Sequence, residues 1–294
     1  MHETHSRRAV LAGGASAAVG ALAGCLGQDD DADEETPGDS GGGDPDTSGS
    51  DDPQAPFRDW LVTPESIGAL RGDNRVYRFS YSPFLIEQTL QSGRASVLDI
   101  DPAVVDGFLV QPPALIFLGS FDRSSLETTV EDAEGYALTG EYESYRTAEN
   151  AEAGTRFALG DEAVLIGQDL ELWIDTRTGD GRQLEETTPG FTRLFDRLPS
   201  LDGSVTGQLG PPQSFDASLD GLEAWVNSAP EPVPGETITQ RWVYAFDEQP
   251  SEDATGAIER ELSGNPLIDE VTETAVDGAF LTVTGESTLP ESNS

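Results

Sequence analysis

Fifty-five Asp and Glu side chains stand against sixteen basic ones in this 294-residue chain, giving a formal net charge of −39. Every basic residue is Arg; there is no Lys. Any fold must leave a surface of hydrated carboxylates and build its interior from the 36% of residues that are hydrophobic. In dilute buffer such a surface repels itself. In 1 M salt the Debye length falls to about 3 Å and the repulsion is screened. The sign of the charge is wrong for nucleic acid, whose binding needs cations that displace counterions.

Ser6-Arg7-Arg8-Ala9-Val10-Leu11 resembles a twin-arginine export signal, with Arg7 and Arg8 as its pair. Ala9 to Ala23 is small, apolar and free of charge for 15 residues. That suits a signal-peptide core and falls short of the roughly 20 residues a spanning helix needs. The stretch ends in Leu22-Ala23-Gly24-Cys25, which looks like a lipobox. The resemblance implies a leader over 1–24, cut before Cys25, and a lipid on the Cys25 thiol. An uncleaved anchor is the alternative, and it leaves the protein on the same side of the membrane. Either way the implied location is the extracellular, outer face of the cytoplasmic membrane, with the membrane itself as a partner. One lipid chain holds only marginally, so stable attachment calls for a second.

That reading narrows the chemistry. Both histidines, His2 and His5, fall in the leader, and Cys25 is the one thiol. The mature chain then has no imidazole, no amine side chain and no free thiol. Ser-His-Asp and Cys-His catalysis, histidine-ligated metal, Schiff-base lysine and phosphate-cradling lysine are excluded with them. No disulfide forms within one chain. No cofactor and no metal motif is expected.

Gln28 to Pro56 holds eleven acids and no base among Gly, Ser, Thr, Pro, Gln and Ala. It offers too little apolar surface to offset the entropy of ordering, so 25–56 reads as a lipidated Cys followed by a disordered acidic tether. As a flexible coil it spans about 30 Å, and more as its charges repel. Asp29-Asp30-Asp31 is a candidate cation ligand or, more simply, part of a solvated spacer.

From 57 to 290 the sequence turns periodic. Val76–Ser82 alternates as a strand, and Ala114–Leu118 is a wholly apolar run that suits a central one. Pro102 after Asp101 predicts a helix start, with Val104, Val105 and Phe108 on one face. Ser124-x-x-Glu127 has the pattern of a capping box. A strand at Tyr136–Tyr145 and a hairpin turning at Gly160-Asp161 follow. Helices are predicted around Leu170–Ile174 and Pro189–Leu198, and Ser204–Leu209 closes the run as a strand. The order over 114–209, the clearest unit, matches the split β-α-β of a ferredoxin-like domain with one extra helix. Gln240–Phe246, a helix at Glu252–Leu262 and a hairpin turning at Asp277-Gly278 echo part of it. Residues 57–113 read as a less regular third copy. The expected class is α+β, with ferredoxin-like units that repeat behind the tether.

Absent Lys, abundant acid and modest hydrophobicity resemble proteins of extremely halophilic archaea. Phe117-Leu118-Gly119-Ser120-Phe121-Asp122, Gly135-Tyr136, Tyr142 to Tyr145, Ala158 to Gly167 and Pro189-Gly190-Phe191-Thr192-Arg193-Leu194 carry a closer likeness. Together they resemble a haloarchaeal family of twin-arginine-exported lipoproteins whose function is uncharacterised. These are turn and core positions over about 114–209, so the resemblance implies a fold and lends no catalytic site.

Paired carboxylates remain the one common enzyme mechanism open to such a composition. Asp99 and Asp101 flank Ile100 and could share a strand face, or cap a helix. Asp175 and Asp180 sit in Asp-Thr-Arg-Thr-Gly-Asp-Gly, where Arg177 takes the place of a calcium loop's second oxygen ligand. Trp60, Trp173, Trp225 and Trp242 could line a groove; Trp173 and Trp242 fit core positions, while Trp60 and Trp225 are the better surface candidates. Arg75 and Arg78, near Tyr77 and Tyr81, could hold an anion or pair with local acids. The leading expectation is a tethered cell-surface domain that binds an extracellular protein or envelope component without catalysis. A small-molecule-binding lipoprotein serving a transporter is the first alternative, and a carboxylate-only hydrolase the second.

Overall fold

The computed structural model describes residues 55–71, 76–212 and 219–288. Arg7, Arg8, Cys25 and the acid-rich tract through Gln54 lie outside the described residues. Within them the class is mixed helix and strand, with seven α-helices and one antiparallel sheet of twelve strands.

The sheet is built in two halves. In the first, β1 (Arg78–Ser82), β2 (Val105–Gln111) and β3 (Ala114–Gly119) form a meander; α1 (Pro64–Arg71) precedes it and α2 (Ile86–Leu90) lies between β1 and β2. Helix α3 (Arg123–Asp132) then leads to an edge strand, β4 (Ala137–Tyr142). From there β5 (Tyr145–Asn150), β6 (Thr155–Leu159) and β7 (Ala163–Gly167) walk back until β7 pairs with β3. Helices α4 (Glu171–Thr178), α5 (Leu184–Thr187) and α6 (Gly190–Phe195) cross to the second half. There β8 (Ser204–Leu209), β9 (Leu222–Ala229) and β10 (Thr237–Phe246) form a meander. Helix α7 (Glu252–Ser263) leads to the other edge, β11 (Glu270–Asp277), and β12 (Phe280–Thr288) returns between β11 and β10. The pairing of β1 with β8 joins the halves, setting Phe79 opposite Gly207 and Tyr81 opposite Val205. Gly207 is required there: a Cβ would sit 2.4 Å from the Phe79 ring.

Alternation along the strands sends side chains to two faces. On β10, Val243 and Ala245 join one core while Trp242, Tyr244 and Phe246 join another. On β3, Ile116 and Leu118 face the first core and Phe117 faces a third. One face of the sheet is therefore a continuous core, covered by residues 55–67 and by α4 to α6 through Trp173, Ile174, Phe191, Leu194 and Phe195. The opposite face is covered in two places. Leu126 and Val130 of α3 cover the first half, and Ala254, Ala257, Ile258 and Leu262 of α7 cover the second.

One buried side chain pins the entering strip to the sheet. Gln111, fully buried on β2, accepts from Val62 N at 3.1 Å and from Trp173 Nε1 at 2.9 Å. Its amide nitrogen donates to Val62 O at 3.1 Å and to Tyr77 Oη at 2.8 Å, and Tyr77 Oη donates to Val62 O at 2.9 Å. Two N–H donors on Oε1 fix the orientation of the amide.

Several expectations need correction. No closed ferredoxin-like unit forms over 114–209, because β8 pairs with β1 and β9 and not with β3. The expected single strand at 136–145 is a hairpin, β4–β5, turning at Glu143 with φ of 50°. Residues 57–113 hold β1 and β2 as antiparallel neighbours and form no further copy of the unit. After Asp101, whose side chain does cap at Ala103 N, only a 3-10 turn (Pro102–Val104) forms; the β-branched and aromatic run from Val105 goes to strand. The cap of α3 is Asp122, which accepts from Ser124 N and Ser125 N, rather than Ser124. The echo in the tail holds better: β10–α7–β11, with β12 inserted between the two strands, is a split β-α-β.

Both edges are spoiled for further pairing. A bulge breaks β4 between Leu138 and Gly140, and another breaks β11 between Val271 and Glu273. β11 also carries Glu270, Glu273 and Asp277. Bulges and charge are the usual protections of an open edge.

Candidate functional site

A cleft of about 410 Å³ opens between the β5–β6 turn and the β7–α4 loop, lined by Glu149, Asn150, Ala151, Gly154, Thr155, Arg156, Gln168 and Asp169. Its fixed element is an ion pair. Arg156 donates to Glu171 of α4 from two nitrogens, at 3.0 and 2.5 Å. That hydrogen bonding holds the Glu171 carboxyl below its ordinary range and raises Arg156. Asp169 and Glu149 add charge around the same guanidinium. Asp169 takes a left-handed backbone, φ 51°, in the loop that leads to α4. Asn150 Oδ1 is spent on Ala153 N at 2.9 Å. The fully buried Thr155 keeps an Oγ1 with no partner. Glu171 is held in the carboxylate form, the reverse of what a general acid needs.

A second cleft, of about 450 Å³, separates α7 from the edge strand β11 and is lined by Glu259, Ser263, Val271, Thr272, Glu273 and Thr274. No group of three or more His, Cys, Asp or Glu is placed to hold a metal among the described residues. Among those residues, too, no helix is long and apolar enough to cross a membrane.

The residues singled out in the sequence do not converge. Asp101 caps its 3-10 turn, and Asp99 ends the preceding one in a left-handed conformation. Asp175 accepts from Tyr142 Oη at 2.6 Å, tying the β4 edge to α4. Asp180 is exposed in the turn after Gly179. Trp173 and Trp242 are buried, as expected. Trp60, expected at the surface, is also buried, edge-on to Tyr145 at 6.4 Å; only Trp225 remains half-buried. Tyr77 is locked in the Gln111 network and Tyr81 stacks on Phe57 at 4.6 Å, so neither faces a ligand. Arg78 is exposed on β1, and Arg75 lies outside the described residues. The Arg156–Glu171 pair was not singled out, since fifteen residues and a strand separate its members. Arg156 opens the predicted hairpin and Glu171 falls in the helix predicted around Leu170–Ile174, so no local pattern joins them.

No protein-family model and no curated protein matches the sequence. Among solved structures, crystal form III of TP0453 aligns over 79% of this chain and 93% of that chain, at 10% identity and a TM-score of 0.47. Crystal form I of TP0453 covers the same shares at 11% identity and a TM-score of 0.45. The likeness is too loose to carry a fold or a function across.

Proposed function

We propose that this chain is an exported, lipid-anchored domain on the outer face of a halophile's cytoplasmic membrane, and that it binds a protein or envelope component there without catalysis. The order of segments carries the reading. The Arg7-Arg8 signal, the Leu22-Ala23-Gly24-Cys25 lipobox and the acid-rich tract come first, and buried core begins at Ala55 and Phe57 where that tract ends. In this reading the arms at 114–167 and 237–288, each a strand, a helix and a returning meander, are related ferredoxin-like half-units. The open cleft at Arg156–Glu171 favours the second reading, a small-molecule-binding lipoprotein serving a transporter.

The test is crosslinking in living cells at native salt, with Cys25→Ala as the control strain. A single envelope or transporter partner that is lost in the control supports the tethered binding role. Equal recovery of every neighbour from both strains overturns it, and ligand screening at the cleft in molar salt follows.

A further inference from the structure

We infer that the rim of the sheet at which the chain enters is a membrane-facing surface that rests on the lipid bilayer. The inference builds on the lipid-anchored reading above and assigns that anchor a docking face. It begins with where the chain comes in. Phe57 stacks on Tyr81 at 4.6 Å, one residue before β1 ends at Ser82. The strip then runs down the covered face to Val62, which bonds Tyr77 and Gln111 near the other end of β1. Ala55, the first described residue, therefore lies at the Ser82 end of the strands.

The strand register places other segments at the same rim. Ser82 pairs with Phe108 of β2, and Ser204, at the start of β8, pairs with Ala229, the end of β9. Thr237, the start of β10, pairs with Thr288, and Glu270, the start of β11, pairs with Glu286. This rim thus carries the turn after Ser82, the turn before Val105, the β9–β10 loop and the turn before β11, together with the β4–β5 and β6–β7 turns, which bear Glu143, Asp161 and Glu162. Among the described residues, five large hydrophobic side chains are exposed: Leu85, Val104, Val233, Leu267 and Val276. The first four lie one in each of the four segments named first; only Val276, near the end of β11, lies at the opposite rim.

Leu85 adds a second observation. It sits within Pro83-Phe84-Leu85-Ile86, whose other members are half-buried, and its backbone is left-handed at φ 59°. Glycine takes that conformation at no steric cost, whereas leucine is strained in it. The leucine is 42% exposed, so its side chain adds little to the core beneath.

A bilayer is the occupant that the length of chain selects. Twenty-nine residues separate Cys25 from Ala55, so even a fully extended link keeps Ala55 within about 100 Å of a lipid on Cys25. That reach lets the rim touch the surface in which a lipid on Cys25 would be seated. The carboxylates around the rim do not oppose contact in molar salt, where their field extends about 3 Å.

Cys25 is the single thiol, so the full chain can be tethered to vesicles through a maleimide lipid whether or not cells acylate it. The probe is a vesicle of phosphatidylglycerol and dibrominated phosphatidylcholine in molar KCl, with Leu85→Trp, Val233→Trp and Val276→Trp variants that retain the parent circular dichroism. The inference expects the added emission of Leu85→Trp and Val233→Trp to be quenched and blue-shifted, and that of Val276→Trp to be unchanged. Equal quenching at all three positions, or none at any, overturns it. The mass of Cys25 peptides from native membranes tests the anchor separately. A bare thiol there with rim quenching intact refutes the lipidation and leaves the rim standing as a membrane-binding face.

Discussion

Removing the amide of Gln111 should cost more than any other single polar change in the covered core. Gln111→Leu nearly preserves volume but leaves Val62 N–H and the Trp173 indole N–H without acceptors. Tyr77 Oη and Val62 O keep each other. Two buried donors orphaned at about 1–3 kcal/mol each give a loss of about 2–6 kcal/mol. For a domain of this size that is a fall in Tm of about 5–20 °C. Urea unfolding followed by tryptophan fluorescence in about 3 M KCl keeps surface repulsion screened while it reads the change. Trp173→Phe removes one of the two orphans, so in the Gln111→Leu background it should cost at least about 1 kcal/mol less than alone. A loss below about 1 kcal/mol for Gln111→Leu, or strictly additive losses in the pair, would refute the view that this network clasps the entering strip to the sheet.

Lowering KCl through about 1 M should unfold the chain, because screening of its −39 net charge fails there; an unchanged circular dichroism spectrum down to about 0.1 M would count against that. Glu171 titrates below its ordinary range when folded, so its pairing with Arg156 stabilises above the unfolded carboxylate value and fades as pH falls through the lower folded one. Glu171→Gln should flatten that acid limb, by about 0.2–1 kcal/mol for a pair this exposed, in unfolding curves taken between pH 6 and 3. The Tyr142 phenol, pushed up to about 12 by its hydrogen bond to Asp175, should ionise late in an ultraviolet titration, and Asp175→Asn should bring it back toward its ordinary value of about 10.

Local patterns carried much of the fold. The helix expected around Leu170–Ile174 forms as α4, and the strand at Ser204–Leu209 appears with its expected bounds. The hairpin turning at Asp277-Gly278 also forms as read. Pairing partners were not legible, since nothing local in Val205 or Gly207 says that β1, 126 residues earlier, lies beside them. β9 went unread because its Trp225, Asn227 and Ser228 interrupt the apolar alternation; all three sit on a strand with neighbours on both sides. Trp60 was misplaced for a similar reason. Its segment is irregular, and its burial comes from a long-range partner, Tyr145. The Arg156–Glu171 cleft depends on how a strand end meets a later helix, which residue spacing alone does not encode.

The joining of the halves at β1 and β8 bears on how the chain could be divided. Every strand of the first half precedes residue 168 and every strand of the second follows 203, so the sheet is two uninterrupted stretches of sequence meeting along one line of hydrogen bonds. Helix α6 spans that line, with Phe191 against Phe79 of the first half and Arg193 over Phe280 of the second. A cut in the 199–203 connection would leave α6 with the first fragment and expose on each piece a strand already shaped for the other. Two such fragments would meet along one complementary strand edge, and rejoining them would also close the core that the two halves share.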